Sequence, residues 1–298
     1  MVFLARLKRS VAGLLPSLAA PAATTLDIAL QLELSREFDR LQAELRMSTP
    51  ENPASRGFKV YSQADEDGIL EDICLRMGLE GGVFAEIGCG DGRENNTHYL
   101  LLKGWRGVWI DGDPTNISAI RTALPTNNRL RLIEALVTRE NIVDLLRPAL
   151  EPLGPCLDVL SIDIDGNDLT IARAAIAALN PKIVIGEYNA KFPYPMVAEI
   201  TYVPQHKWHG DDYHGASLAA WVQQLAPDYQ LVSCNLAGTN AFFVHKQFMD
   251  RFGGYPPEML YQRARFHLTA LRAGHAPSLS HLKQMLTDAA KARDGVNG

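Results

Sequence analysis

The segment Val83–Gly92 reads Val-Phe-Ala-Glu-Ile-Gly-Cys-Gly-Asp-Gly, and it decides the fold. Its first half is a short apolar run that predicts a buried strand, and its second half has glycine at every other position. Glycine permits a sharp backbone turn and leaves room for a ligand, since it has no β-carbon. The helix that follows would direct its N-terminus at that ligand. The segment therefore predicts a strand, a ligand-binding loop and a helix in succession.

Two acidic residues accompany this glycine loop. Glu86 stands two positions before Gly88, and Asp111 closes the next apolar run. A carboxylate at the end of the second strand can accept hydrogen bonds from both ribose hydroxyls of a nucleoside. The third glycine comes one residue earlier than in the dinucleotide pattern G-x-G-x-x-G, which favours an adenosyl–methionine site over a pyrophosphate cradle. We predict that Asp111 binds the ribose of S-adenosylmethionine and that its methionine end is bound by Glu86, Gly88, Gly90 and Gly92.

Apolar runs alternate with helical patterns on the C-terminal side of the loop. Strands separated by helices indicate a parallel sheet with helices on both faces. The predicted strands are Gly82–Ile87, Gly107–Asp111, Leu130–Val137, Leu157–Asp163 and Lys182–Glu187. The predicted helices are Asn95–Lys103, Asn116–Leu124, Glu140–Leu150, Leu169–Leu179 and Ser217–Leu225.

The last two predicted strands are arranged differently. Tyr229–Cys234 and Asn240–Val244 are joined only by Asn235–Thr239. That connection is too short for a helical crossover, so the two strands must pair as an antiparallel hairpin. An ordinary dinucleotide-binding fold would keep its strands parallel. A mostly parallel seven-stranded α/β sheet that ends in an antiparallel hairpin is the Rossmann-like pattern of class I methyltransferases.

Three motifs resemble those of the FkbM-type methyltransferases, and the resemblance extends from about Tyr61 to Val244. The motifs are Tyr61-Ser62-Gln63-Ala64-Asp65-Glu66-Asp67-Gly68, Ala85-Glu86-Ile87-Gly88 and Leu160-Ser161-Ile162-Asp163-Ile164-Asp165-Gly166. The resemblance implies a class I fold and methylation of hydroxyls, often on sugars or natural products. Two positions depart from the family pattern. Asp91-Gly92-Arg93 stands where the family usually carries asparagine, and Asp165 replaces a glutamate.

Carboxylates follow the fourth and fifth predicted strands. In open α/β sheets, ligands bind beyond the carboxyl ends of the strands. Asp163 and Asp165 should therefore face Glu187 and Asn189 across a cleft, with Asp163 also close to the cofactor. These oxygen ligands suit Mg²⁺, which would lower the pKa of an acceptor hydroxyl. Catechol O-methyltransferase is similar, since its metal ligands follow the same two strands. The alternative is that the carboxylates orient loops or bind acceptor hydroxyls without a metal.

A long connection, Tyr188–Gly215, follows the fifth strand. Connections of this length in compact domains are usually lids or binding segments. Its aromatic, acidic and histidine side chains suit recognition of a sugar or another hydroxylated ring. Methyl transfer to oxygen releases a proton, and histidine is the natural acceptor near neutral pH. We predict that His214 is this base, because it lies just before the next helix, with His209 as second choice. Either histidine could instead be a surface or loop-packing residue.

Composition excludes some classes of function. The 298 residues include 29 basic and 34 acidic side chains, a net charge of −5, which argues against general nucleic-acid binding. The four cysteines show no C-x-x-C spacing, and isolated cysteines indicate a reducing compartment. We therefore expect a cytoplasmic protein whose partner is a small-molecule or carbohydrate acceptor.

The chain divides into three parts by pattern: a helical N-terminal extension with linkers (1–57), a methyltransferase domain (58–252) and a helical C-terminal extension (253–298). In the first part, Met1–Leu15 has arginine and lysine among apolar residues at helical spacing, and Leu26–Met47 reads as a helix between linkers Pro16–Thr25 and Ser48–Gly57. The basic helix would pack on its own protein or on a sister subunit, or contact an anionic membrane surface. Beyond Phe252 the chain reads as helical, with frayed residues from Thr287 to Gly298.

Two other functions compete with methyl transfer. Asp111-Gly112-Asp113 and Asp163-Ile164-Asp165 match the short D-x-D pattern of glycosyltransferases that bind a metal and a nucleotide sugar. That function would leave the glycine loop unexplained. A non-catalytic interaction protein of the same fold would need neither the glycine loop nor the acid at the end of the second strand. Cofactor binding discriminates among the three.

Overall fold

Seven strands form one sheet in the computed structural model, which describes residues 20–294. The strands are β1 (Val83–Ile87), β2 (Arg106–Asp111), β3 (Leu130–Glu134), β4 (Val159–Ile162), β5 (Ile183–Glu187), β6 (Tyr229–Cys234) and β7 (Asn240–His245). Their order is β3-β2-β1-β4-β5-β7-β6. Strands β1 to β5 pair in parallel, and β7 runs antiparallel to β5 and β6. The predicted fold class, a mostly parallel sheet closed by an antiparallel hairpin, is confirmed.

Helices cover both faces of this sheet. They are α1 (Ala20–Ser48), α2 (Glu66–Met77), α3 (His98–Leu102), α4 (Pro114–Ala123), α5 (Ile142–Leu150), α6 (Asp168–Leu179), α7 (Leu218–Leu225), α8 (Pro257–Leu260) and α9 (Ser280–Asp294). Helices α2, α4 and α9 contribute to one buried cluster, and α5, α6 and α7 to the other. Among residues 20–294, no helix combines the length and the apolar character needed to cross a membrane.

The central strands are buried on both faces, which explains their nearly continuous apolar sequences. Successive side chains enter opposite cores: Phe84 belongs to the first cluster and Ala85 to the second. The neighbouring strand β2 repeats this division with Trp109 and Val108. Because all five parallel strands end at the same edge of the sheet, the residues that follow them are brought together there.

The N-terminal helix is longer than its sequence pattern predicted. The predicted helix Leu26–Met47 is confirmed, but α1 begins at Ala20, so the predicted linker was wrong over residues 20–25. Alanine favours a helix, and Pro21 lies in the first turn, where its missing N–H costs no helical hydrogen bond. Leu34, Leu41 and Leu45 of α1 are buried in the first core cluster. The predicted amphipathic segment Met1–Leu15 and residues 16–19 lie outside the described range.

The second predicted linker is packed rather than free. Pro53–Arg56 forms a 3₁₀ turn that is capped by Asn52, and Asn52 Oδ1 also accepts a hydrogen bond from Ser233 Oγ in β6. The Gln42 side chain of α1 donates to the carbonyl of Gly57 at 2.6 Å. These contacts tie α1 to the sheet. The chain divisions at residues 57 and 252 remain predictions.

The C-terminal segment is only partly helical. Residues 253–279 contain the short helix α8 and a 3₁₀ turn at Phe266–Ala270, because prolines and glycines interrupt the helical pattern. The predicted fraying from Thr287 was wrong up to Asp294, where α9 ends. Leu282 and Leu286 anchor α9 in the first core cluster, which stabilises it beyond its intrinsic propensity. Residues 295–298 lie outside the described range.

Candidate active site

Two adjoining cavities lie at the carboxyl edge of the sheet. The larger, the main cavity, has a volume of about 500 Å³, and the smaller, the side cavity, about 300 Å³. Residues Gln63, Gly88, Gly90 and Asp163 line both. The main cavity is also lined by Asp111, Asp113, Asp165, Glu187, His206 and Thr239. The predicted cofactor loop and the predicted acidic residues therefore meet in one place.

The loop glycines adopt conformations that other residues rarely take. Gly88, Gly90 and Gly92 have φ angles of +86°, +56° and +79°. A β-carbon on Gly88 would lie 1.8 Å from the carbonyl oxygen of Asp163, so β1 and β4 approach too closely there for any side chain. A β-carbon on Gly90 would meet no atom of the described residues within 4 Å. The first glycine therefore allows close strand packing, and the second keeps the backbone accessible from the cavity.

The carboxylate of Glu86 holds the loop that follows the glycines. It is buried and accepts hydrogen bonds from the Asn95 amide, the Asn96 N–H, and both the N–H and the hydroxyl of Thr97. These bonds explain why α3 begins at His98 and not at Asn95 as predicted. Burial raises the pKa of Glu86, while these donors oppose the rise. Glu86 lines the side cavity, and its Oε1 atom, with one donor, retains capacity for a ligand.

Asp111 lies at the end of β2 and faces the main cavity. Its Oδ2 atom accepts a hydrogen bond from the Gly90 N–H at 2.8 Å, and its Oδ1 atom accepts from the Asp113 N–H and the Asn116 amide. The bond to Gly90 joins the second strand directly to the glycine loop. Asp111 is partly exposed, and its oxygens retain lone pairs for a ligand.

Three of the four predicted metal ligands converge. Single carboxylate oxygens of Asp163, Asp165 and Glu187 lie within 4.8 Å of one another, and we call these residues the carboxylate cluster. Asp165 has φ +57°, which is uncommon for a residue with a side chain. The fourth residue, Asn189, is engaged by its own loop. Its amide donates to the carbonyls of Asp212 and His214 and accepts from the Lys191 N–H.

Among residues 20–294, no lysine or arginine lines the main cavity beside the carboxylate cluster. Burial, and then the negative charges of Asp165 and Asp168, raise the pKa of Asp163 well above its usual range. The pKa of Glu187 is raised in the same way, by burial and then by Asp163. Glu187 Oε2 is out of contact with solvent and has no hydrogen-bond partner among the described residues. The carboxylate cluster therefore either retains protons on its carboxyl groups or binds a cation.

We expect Glu187→Gln to stabilise the ligand-free protein, and by more at pH 7 than at pH 4. The folded protein raises the pKa of Glu187, so the stability linked to its proton is present at low pH and is lost as pH rises through the folded pKa. Glutamine stays neutral and avoids that loss. The gain should therefore appear at pH 7 and shrink toward pH 4, and every unit by which a folded-state pKa is raised corresponds to about 1.4 kcal/mol of it.

Urea unfolding of the wild type and the variant in EDTA, across pH 4 to 7.5, measures this difference. The comparison cancels other titrating groups, such as buried His98, whose pKa is lowered by burial to about 4. A variant no more stable than the wild type at pH 7 would contradict the expected repulsion.

The three histidines of the long loop occupy different positions. His209 is exposed, and neither His209 nor His214 lines the main cavity. The His214 ring packs 5.3 Å from Trp208, and burial lowers its pKa. His206, which was not among the predicted bases, lines the main cavity, and its Nε2 atom is buried with no hydrogen-bond partner within residues 20–294.

Contacts with the loop between β4 and α6, rather than sequence spacing, bring His206 to the cavity. Its ring lies against Gly166, where a β-carbon would come within 2.5 Å of His206 Cδ2. The turn before it is tied to α6 by the Asn167 amide, which donates to the Val203 carbonyl. One residue before Val203, the Tyr202 hydroxyl donates to Glu140. No local sequence signal distinguishes His206 from the other two histidines.

No family model matches the chain, and no curated protein matches it. Solved structures that it resembles include the S-adenosylhomocysteine-bound Podospora anserina methyltransferase PaMTH1, at 14% identity over 78% of this chain and 98% of that chain, with a TM-score of 0.37. A second is the O-methyltransferase from Bacillus cereus in complex with S-adenosylhomocysteine, at 13% identity over 81% of this chain and 97% of that chain, with a TM-score of 0.38. A third is the glycopeptide N-methyltransferase MtfA complexed with sinefungin, at 14% identity over 61% of this chain and 87% of that chain, with a TM-score of 0.35. At these values a functional assignment has to rest on the residues of the cavities.

Proposed function

We propose that the protein is an S-adenosylmethionine-dependent methyltransferase that methylates a hydroxyl of a small molecule, sugar or glycan, as its FkbM-type motifs suggest. One observation carries the proposal. The glycine loop after β1 and the carboxylate of Asp111 at the end of β2 are hydrogen-bonded to each other and line the same cavity of about 500 Å³. A nucleoside needs both features, an approachable backbone and an acceptor for its ribose hydroxyls.

The residues of the two cavities fit the two ends of the cofactor. Asp111 would accept hydrogen bonds from the ribose, and the open side of Gly90 leaves the loop backbone approachable. The side cavity, with Glu86 at its wall, suits the amino acid end. When bound, S-adenosylmethionine supplies a methyl group activated by a sulfonium centre. The protein's own part is to bind this group and to orient an acceptor beside it.

The acceptor hydroxyl would be bound at the carboxylate cluster. Its members are close enough to hold Mg²⁺ through carboxylate oxygens, and such an ion would lower the pKa of the hydroxyl. The acceptor proton would pass to an imidazole of the long loop. The position of His206 in the main cavity supports it over His214 and His209 for this role.

Calorimetry with S-adenosylhomocysteine tests the cofactor assignment. We expect binding in the micromolar range, and a loss of about 100-fold for Asp111→Ala, because two ribose hydrogen bonds to a charged acceptor are removed. Asp113→Asn is the matched control: it removes a neighbouring charge, and asparagine still caps α4.

Binding of a nucleotide sugar such as UDP-glucose in place of S-adenosylhomocysteine would favour the glycosyltransferase alternative. Binding that Asp111→Ala leaves unchanged would argue against the assigned ribose site. Mass spectrometry of cell extract incubated with labelled S-adenosylmethionine would then identify the acceptor, and turnover that survives excess EDTA would remove Mg²⁺ from the proposal.

A further inference from the structure

The main cavity is negatively charged on several sides. Its lining includes Asp111, Asp113 and the three members of the carboxylate cluster, and among the described residues it includes no lysine or arginine. Two basic side chains in the segments that follow β3 and β5 do not line this cavity and are paired with other acids: Arg139 with Glu140, and Lys191 with Asp212. A cation bound in this cavity would therefore meet uncompensated carboxylates.

The carboxylate cluster adjoins the loop assigned to the methionine end of the cofactor. The Asp163 N–H donates to the Ile87 carbonyl at the end of β1, and the Asp163 carbonyl is the atom that Gly88 leaves room for. Asp163 also lines both cavities. Glu187 Oε2, which is buried and has no hydrogen-bond partner among the described residues, adds to the negative charge of this wall. The reactive centre of the cofactor, which links its adenosyl and methionine parts, would lie where the two cavities meet.

We propose that Asp163 and Glu187 make the protein select the cationic methyl donor over its neutral product. This inference rests on the proposed function, since it concerns the same cofactor site in the absence of a divalent ion. Methyl transfer forms a bond between the methyl carbon and the acceptor oxygen, breaks the sulfur–methyl bond and leaves its electron pair on sulfur. The sulfonium becomes a neutral thioether, and the positive charge departs as the acceptor's proton. Attraction to the carboxylates is then lost, which favours product release.

The size of the preference follows from charge separation. A unit charge several ångströms from a carboxylate in a partly shielded site changes affinity by a factor of about 10 to 100. The carboxylates repel one another and hold protons in the absence of a cation, which reduces the effect. We therefore expect about tenfold tighter binding of the cation. The exposed Asp113 is screened by solvent and should contribute little.

Calorimetry in EDTA tests the inference with three ligands: S-adenosylmethionine, sinefungin (which carries a protonated amine in place of the sulfonium methyl) and S-adenosylhomocysteine. The wild type should bind both cationic ligands about tenfold more tightly than the thioether. Asp163→Asn and Glu187→Gln should each bring this ratio close to one while leaving the affinity for S-adenosylhomocysteine unchanged or improved. Asp113→Asn should keep the wild-type ratio.

The outcomes separate two kinds of failure. Equal affinity of the wild type for all three ligands would overturn the inference and leave the proposed function standing. A ratio that falls as much in Asp113→Asn as in the cluster variants would also overturn it, since general charge would then be responsible. If none of the three ligands binds, the proposed function itself is rejected. Both cluster substitutions keep the shape of the side chain, and a thermal melt confirms that each variant is folded.

Discussion

Gly88→Ala should destabilise the protein by about 2–5 kcal/mol and abolish detectable cofactor binding. The new β-carbon would lie 1.8 Å from the Asp163 carbonyl oxygen, a backbone atom fixed by the pairing of β1 with β4. Overpacking of this kind costs about 1–3 kcal/mol, and a left-handed residue with a side chain adds about 1–2 kcal/mol. Urea unfolding measures the stability, and calorimetry with S-adenosylhomocysteine measures the binding.

Gly90→Ala is the matched control for that substitution. Gly90 has a left-handed φ of +56°, but its added β-carbon would lie more than 4 Å from every atom in the part of the chain that the structure describes. We expect a loss of only about 1 kcal/mol in stability, from backbone strain alone. Ligand affinity should still fall, because the methyl group would project into the space where the ligand approaches the backbone. If Gly88→Ala were as stable as Gly90→Ala, the close approach of the two strands would be contradicted.

Glu86→Ala should cost about 3–5 kcal/mol, although a small side chain there leaves β1 intact. The substitution removes the acceptor for four donors on residues 95–97, and a buried donor without a partner costs about 1–3 kcal/mol. Relaxation of the loop would recover part of that sum. Because Asn95 and Asn96 line the side cavity, affinity for the amino acid end of the cofactor should fall as well.

Glu94→Ala serves as the comparison for Glu86→Ala. Glu94 is an exposed acid in the same loop, and its removal should change stability by less than about 0.5 kcal/mol. Denaturant unfolding of both variants at pH 7 gives the difference. A Glu86→Ala variant within 1 kcal/mol of the wild type would mean that the loop does not depend on this carboxylate, contrary to about 3–5 kcal/mol expected from its bonds.

The sheet was predictable because its signals are local. The short connection Asn235–Thr239 forces a hairpin whatever the rest of the chain does, and the strand Tyr229–Cys234 was predicted with its observed bounds. The ends of helices were less predictable. Helix α3 begins at His98 rather than at the predicted Asn95, because Glu86 of the preceding strand binds residues 95–97. Helix α1 begins at Ala20, six residues before its predicted start, in an alanine-rich stretch whose pattern had predicted a linker.

The residues of the site likewise divide into those that local sequence signals predicted and those that long-range contacts position. The positions of Asp111, Asp163 and Glu187 at strand ends were sufficient to place them at one edge of the sheet. The roles of the loop residues were not predictable, since the turn at Val203 and the amide of Asn189 depend on contacts with distant segments. These contacts determine the path of the long loop and place His206 in the lining of the main cavity, whereas spacing along the chain had predicted His214.

The sequence by itself determined which segments form the strands, the antiparallel direction of the last hairpin and the loop that approaches the ligand. These follow from residue periodicity, connection length and the freedom of glycine, which act within a few residues. Only the tertiary structure decided that the carboxylates of Asp163, Asp165 and Glu187 meet in a cavity that no lysine or arginine of residues 20–294 lines, and which imidazole lines that cavity with them. Charge balance and loop path depend on every group within several ångströms, and those groups come from segments far apart in the chain.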